Sequence, residues 1–351
     1  MKFSRKILML LSALSITVAM AACQSSSSAE EVLVYNWGEY IDTDVLKEFE
    51  EETGIRVRYD TFPSNEEMYN KIKAGGSFYD VIIPSDYMIE KMINEDMLEK
   101  IDMNNVPNYK NIDDLFKGLP YDSNNEYSVA YMWGTVGILY NTDMVDEPIE
   151  SWNALWDEKY TNQIFMYDSV RDSIGAALKK LGYGLNTRSE SELLEARDEL
   201  IRQVPLVQAY LGDSIRDKMI GNEGALAVVY SGDAMYSQSL NEQLNYVVPV
   251  EGSNYWFDGM AIPKGAKNKS NAEKFIDFMC RPDIAARNSE YIGYSTANNE
   301  ALSLLDPEMV NNPIYWPDQS ILDNCELYLD LGEYTEMYHD IWTQILVSSS
   351  N

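Results

Sequence analysis

Four short stretches place aromatic rings beside acids or hydroxyls at the edge of an apolar run. Residues 35–40 read Tyr-Asn-Trp-Gly-Glu-Tyr after Val32-Leu33-Val34, and Pro84-Ser85-Asp86-Tyr87 follows Asp80-Val81-Ile82-Ile83. Tyr230-Ser231-Gly232-Asp233 follows the run from Gly224, and Tyr255-Trp256-Phe257-Asp258 precedes Gly259. In open parallel sheets, ligands bind beyond the carboxyl ends of the strands. Carboxylates and rings gathered there suit an organic cation, because together they replace the hydration an amine loses on entering a cleft. Each cation–π contact contributes about 0.5–2 kcal/mol, and charge-assisted hydrogen bonds fix the position. Any one ring is as well explained by core packing. The repetition of ring plus acid at four strand ends is what favours a cleft.

Other chemistry finds few residues to carry it. The single histidine, His339, lies between Tyr338 and Asp340 in what reads as a solvated helix. A Ser-His or Cys-His nucleophile and a multi-histidine metal site are therefore strongly disfavoured as readings. No GxSxG, P-loop or GxGxxG motif occurs. A glycosidase needing only two carboxylates stays open, because distances between acids are invisible in sequence. Another small cation, or a ferric ion held by paired tyrosines, also stays open. Tryptophans, which ligate nothing, stand beside the tyrosines here.

The elements that must position these residues alternate between strand and helix. Val32 to Tyr35 reads as a buried strand, and Asp44–Glu52 as a helix with Val45, Leu46 and Phe49 on one face, stopped at Gly54. Ile55 to Tyr59 alternates as a strand. Ser64-Asn65-Glu66-Glu67 is a capping box opening a helix that ends at Gly75-Gly76, and Asp80 to Pro84 is the next buried strand. This order specifies an α/β fold with a mainly parallel sheet. The run from Ser128 to Asn141 is long for one strand and holds Gly134 and Gly137, which fits a strand passing from one sheet into another. Beyond it, a helix from Ser151, strands over Gln163–Met166, Gly224–Tyr230 and Asn245–Pro249, and helices over Ile174–Leu181 and Ser270–Cys280 suggest a second sheet.

The chain opens with Lys2, Arg5 and Lys6 before an uncharged stretch from Ile7 to Ala22, too short to span a bilayer as a mature helix. This is an export signal. Met20-Ala21-Ala22-Cys23 also resembles a bacterial lipobox, with Cys23 as the lipid-bearing residue and the serine-rich segment to Glu30 as a flexible tether. An ordinary secretory signal cut near Ala22 is the alternative; either places the protein outside the cytoplasm. Removing residues 1–22 leaves 329 and takes the formal charge from −30 to −33, a length suited to about two domains. So negative a chain is unsuited to nucleic acid or an anionic membrane surface. Cys280 and Cys325 are the only other thiols, and they are expected to be free.

Several collinear stretches resemble the spermidine/putrescine-binding proteins of bacterial polyamine ABC importers, over essentially the whole mature chain. They are YNWGEY, SNEEMYNKIKAG, YDVIIPSDY, YMWGTVGILYN, WFDGMAIPKGAKN and IGYSTAN. The resemblance implies a two-lobed periplasmic-binding-protein fold of type II, each lobe a mainly parallel sheet flanked by helices, joined by crossing strands. Residues 31–136 and 257–302 would form one lobe, and 137–256 and 303–351 the other. It implies no enzyme, no cofactor and no metal. It implies a monomer, lipid-anchored at the outer face of the cell membrane or periplasmic, that hands a polyamine to permease subunits. Carried over residue by residue, it places Trp37, Glu39, Tyr40, Ser85 and Tyr87 on one side of the amine. Asp258 with Trp256 is the main anchor, and Tyr294 is another wall. Asp172 is one of two family acids flanking Arg171; Ser169 stands where the other would be. Tyr230 replaces a tryptophan, Tyr328 a glutamine, and Gly38 a frequent threonine. Losing an acid at Ser169 favours a diamine over a triamine, although Asp233 can restore the charge.

Overall fold

The apolar run from Val32 forms the first strand, β1 (Glu31–Trp37), in a computed structural model that describes residues 30–75 and 78–349. The export signal, Cys23 and all of the tether but Glu30 lie outside the described residues. After β1 the helix Thr43–Thr53 starts at Asp42, whose carboxylate accepts the Asp44 N–H at 2.9 Å. It buries Val45, Leu46 and Phe49, as their spacing predicts. Phe49 meets Phe275 and Phe278 edge-on, with ring centroids 5.3 Å away in each case. Strand β2 (Arg56–Phe62) then pairs parallel to β1. In the capping box, Ser64 Oγ accepts the Glu67 N–H at 3.2 Å and opens the helix Asn65–Lys73.

The third strand is shorter than the run from Asp80 to Pro84 suggests. Only Val81–Ile82 (β3) forms a ladder with β1. The Asp80 and Ile83 N–H groups still donate to the Leu33 and Tyr35 carbonyls (2.8 and 3.2 Å), but Pro84 has no N–H to donate. At the other end the Leu33 N–H is taken by the Asp80 carboxylate (2.9 Å), which also accepts the Asn268 N–H (2.9 Å). Likewise the helix expected at Ser151 is only a short 3₁₀ turn, Trp152–Trp156. The remaining strands are β4 (Leu98–Glu99), β5 (Ser128–Asn141), β6 (Ile164–Tyr167), β7 (Val207–Leu211), β8 (Leu226–Tyr230), β9 (Leu244–Val247), β10 (Tyr255–Pro263) and β11 (Ser295–Thr296).

Two parallel trios stand on either side of a pair of crossing strands. The order is β2-β1-β3-β10-β5-β8-β6-β7, with β4 on β10 and both β9 and β11 on β5. Every residue of β5 is buried. Its first half pairs antiparallel with β10, from Ser128↔Ala261 to Thr135↔Tyr255, with a bulge between Asp258 and Gly259. Its second half pairs antiparallel with β8 and β9. One strand thus serves both sides, so the two expected sheets are joined into one hydrogen-bonded path. The architecture is two-lobed α/β.

The apolar cores part at the crossing strands. One core holds Trp133 on β5 and Phe257 on β10; the other holds Val136 and Trp256, their near neighbours. A C-terminal segment also passes between them, since Leu322 and Leu327 pack in the first core and Leu331 in the second. The segment is pinned where Glu326 exchanges backbone hydrogen bonds with Ser253 and Tyr255 (2.9 and 3.2 Å). It runs so close to the turn before β10 that a Cβ at Gly252 would lie 1.8 Å from the Asn324 carbonyl oxygen, at a φ of +86°. Cys280 and Cys325 are both free. Gly252→Ala is therefore expected to destabilise the fold by about 2–4 kcal/mol. Urea unfolding with an unchanged midpoint would contradict this packing.

Candidate functional site

Beside the bulge, where Tyr131 is the extra residue on β5, Asp258 of β10 meets the end of β3. Ser85 and Asp258 form an isolated antiparallel bridge, and the Gly259 N–H donates to the Pro84 carbonyl at 3.0 Å. The Asp258 carboxylate is buried and takes one hydroxyl on each oxygen: Ser85 Oγ donates to Oδ1 at 2.7 Å and Tyr40 Oη to Oδ2 at 2.6 Å. Burial pushes the Asp258 carboxyl up from its ordinary 3.8 to about 6, and the two hydroxyl donors partly oppose that. The Tyr40 phenol is held well above its ordinary range, first by burial and then by Asp258. Tyr40 is itself fixed through its carbonyl, which accepts Asn36 Nδ2 at 3.2 Å and Tyr131 Oη at 2.9 Å. Asn36 and Tyr35 are structural, and Tyr35 stacks on Tyr79 with ring centroids 4.2 Å apart.

The opposite wall repeats this arrangement. Asp172 sits in the first turn of the helix Val170–Lys180, where Ser169 is the N-cap and accepts the Asp172 N–H at 3.4 Å. Tyr230 Oη donates to Asp172 Oδ2 at 2.8 Å and Tyr328 Oη to Oδ1 at 3.2 Å. Tyr328 arrives on the C-terminal segment, which Arg171 holds. The guanidinium lies 4.2 Å from the Tyr328 ring centroid and donates to the Leu329 carbonyl (3.1 Å) and Asn186 Oδ1 (2.8 Å).

A row of rings, each roughly perpendicular to the next, runs from one carboxylate to the other. Centroid distances are 6.0 Å for Tyr40–Tyr294, 5.0 Å for Tyr294–Trp256 and 6.0 Å for Trp256–Tyr230. Tyr167 extends it, 5.0 Å from Tyr230. Gly232 makes room for this row, since a Cβ there would lie 2.3 Å from the Tyr294 ring. Each carboxylate oxygen accepts one hydroxyl and retains a second lone pair, so both acids can still receive N–H donors from a ligand between them.

Tyr87 joins through Asn65, whose Nδ2 donates to Ser85 Oγ (3.1 Å) and Tyr87 Oη (2.9 Å). Thus Tyr40, Ser85, Tyr87, Asp258, Trp256, Tyr294, Tyr230, Ser169, Asp172 and Tyr328 fall into one connected network. Trp37 and Glu39 stand apart from it. The Trp37 ring packs on Phe62 at 4.6 Å, and its buried Nε1 has no partner. Glu39 is exposed at a φ of 50° and accepts Tyr291 Oη at 3.3 Å. Sequence reasoning passed over Asn65, Tyr131 and Tyr167. Asn65 was hidden inside a capping box that already explained its neighbours, and Tyr131 inside a strand that reads as core.

Residues 44–316 match the family of bacterial extracellular solute-binding proteins. The spermidine/putrescine-binding periplasmic protein of Salmonella typhimurium is 37% identical, over 96% of this chain and 97% of its own. The solved spermidine/putrescine ABC transporter substrate-binding protein of Streptococcus pneumoniae is 42% identical with a TM-score of 0.84, covering 92% of this chain and 100% of that one. A putative spermidine/putrescine ABC transporter protein of Listeria monocytogenes is 44% identical with a TM-score of 0.86, covering 91% and 99%. These relatives are solute-binding transport proteins, not enzymes.

The raised value at Asp258 has a consequence for stability. Its carboxyl is harder to ionise folded than unfolded, so stability falls as pH rises from the unfolded value of 3.8 to about 6, the penalty is complete above that, and it is absent below 3.8. Ligand-free Asp258→Asn is expected to be more stable than the native protein at about pH 7, on the order of 1–3 kcal/mol, with the gain gone near about pH 4. Thermal unfolding across that range checks it. A variant less stable at neutral pH would show that the lost hydroxyl bonds outweigh the desolvation.

Proposed function

Because the chain belongs to the bacterial extracellular solute-binding proteins, and within them to the spermidine/putrescine-binding proteins of polyamine ABC importers, we propose that it captures a polyamine between its lobes and hands it to an importer. The observation that carries this reading is the pair of buried carboxylates, Asp258 and Asp172, each bonded by two hydroxyls, with a row of rings between them. A diamine has matching parts. Its ammonium groups meet the carboxylates, and its methylenes lie along the rings, where each cation–π contact contributes about 0.5–2 kcal/mol.

The charge on the second wall supports putrescine as the preferred ligand. Ser169 caps its helix and brings no carboxylate. Asp233, the acid that can restore the lost charge, lies 3.7 Å from Arg216. Burial, with Asp213 nearby, pushes its carboxyl up to about 7. Both features reduce the negative charge Asp233 offers a third amine. Trp37 and Glu39 belong to the mouth, where the exposed Glu39 carboxylate meets an incoming cation.

The lobes, 31–136 with 257–302 and 137–256 with 303–351, close about β5 and β10, and contacts from both walls favour the closed form. The parting of the cores between Trp133 and Val136 and between Trp256 and Phe257 supports hinges there. The protein acts as a monomer tethered by lipid at Cys23 on the outer face of the cell membrane.

Titration calorimetry of the mature chain with putrescine, spermidine and spermine tests the reading. Putrescine is expected to bind most tightly. Asp258→Asn and Asp172→Asn should each weaken it at least about tenfold, about 1.4 kcal/mol, with the fold intact by circular dichroism. No heat from any of the three amines would overturn the proposal.

A further inference from the structure

Between Ser85 and Tyr87, two residues of the site, stands a carboxylic acid that the capture reading does not use. Asp86 begins the helix Asp86–Asn94 and is only 1% exposed. Its Oδ1 accepts the Tyr87 N–H at 2.7 Å, while Oδ2, equally closed to water, has no partner. Ser85, the N-cap of this helix, makes no capping bond with its side chain, because that hydroxyl is committed to Asp258.

Burial and Asp258 oppose the charge of Asp86 in the empty site, and the Tyr87 and Phe257 N–H groups and Arg171 only partly offset them. Asp258 and the backbone N–H of Phe257 face it from β10, and the Tyr255 ring lies on the same strand. Tyr121, with Asp122 beside it, comes from the turn Pro120–Asp122. Tyr87, bonded to Glu66, is on its own helix, and Arg171 acts from the opposite lobe. A buried carboxylate with one oxygen unsolvated costs several kcal/mol. A second negative charge at Asp258 adds to that cost. Burial accordingly holds the Asp86 carboxyl well above its ordinary range, the Tyr87 and Phe257 N–H groups and Arg171 opposing and Asp258 reinforcing the effect.

We propose that Asp86 is a second carboxyl of the capture site, uncharged while the cleft is empty and ionised when a cation settles on Asp258. The proton passes to bulk water. The carboxylate left behind keeps the Tyr87 N–H and lies at the positive end of its own helix. The cation supplies the charge that makes this possible, cancelling the repulsion from Asp258. Asp86 therefore acts as a positioning and specificity group. It adds negative charge to the Asp258 end of the cleft only for ligands that bring a positive one, and so penalises neutral solutes of the same shape. By linkage, affinity rises with pH while Asp86 is protonated in the free protein, up to about tenfold per pH unit.

This inference rests on amine capture at Asp258, and the test separates the two. Putrescine is titrated into the native protein and into Asp86→Asn at about pH 8, above the range where Asp258 itself titrates. Buffers of different ionisation enthalpy give the number of protons released. The native protein is expected to release close to one proton more than Asp86→Asn, and the variant's affinity should stop rising with pH. Infrared difference spectra of the native protein provide a second readout that needs no variant to fold: the carboxylic-acid carbonyl band should disappear on adding putrescine. Binding with equal proton release in both proteins, or a native spectrum in which the acid band persists, overturns the role of Asp86 and leaves capture standing. No binding of putrescine or spermidine by the native protein overturns capture, and this inference with it.

Discussion

The antiparallel ladder between β5 and β10 is the constraint on which the rest of the molecule depends. It is buried along nearly its whole length, and the residues on its two halves belong to different cores. A strand buried on every side must satisfy each N–H and C=O within the protein. β5 does so by changing partners, from β10 and β11 in its first half to β8 and β9 in its second, and at the change the Thr135 N–H donates to Ser231 Oγ. The same ladder carries Trp256 and Asp258 into the cleft, and its bulge falls beside the anchoring acid. The strands that connect the lobes thus also carry one of the two buried carboxylates of the network.

Around that ladder the site is built from acids that are costly to keep. Asp258 and Asp172 are both withdrawn from water and are held by phenols and a serine, neutral donors that support a carboxylate without cancelling its charge. An arginine in the same places would have satisfied the acids and closed the site to an amine. Arg171 is present but turned away, stacked on Tyr328 and bonded to backbone carbonyls. The network therefore supports each carboxylate without neutralising it and leaves lone pairs unfilled. The large net negative charge adds a long-range attraction for the same ligand class.

Much of this was legible along the chain because it follows local rules. The helix from Thr43 was readable from the spacing of Val45, Leu46 and Phe49, and the helix from Asn65 from its capping box. The unusual length of the run from Ser128 signalled a strand that crosses. Where local reading overreached, a long-range polar contact was responsible. The Asp80 carboxylate takes the Leu33 N–H and the Asn268 N–H, so the ladder of β3 stops at Val81. Asn65 reads as part of a capping box and also bridges Ser85 to Tyr87.

The amino-acid sequence by itself determined the types of group available, aromatic rings and acids at strand ends with almost no histidine. Those choices are made residue by residue and leave a pattern that survives without coordinates. Only the tertiary structure decided which rings and acids meet. Tyr40 reaches Asp258 across 218 residues of chain, and Tyr328 reaches Asp172 across 156. It also decided that Ser169 is a helix cap, that Glu39 faces solvent, and that Asp86 is shut away with one oxygen unpaired. Burial and partner are properties of the folded surroundings, and a carboxylate's chemistry is set by those surroundings rather than by its neighbours in sequence.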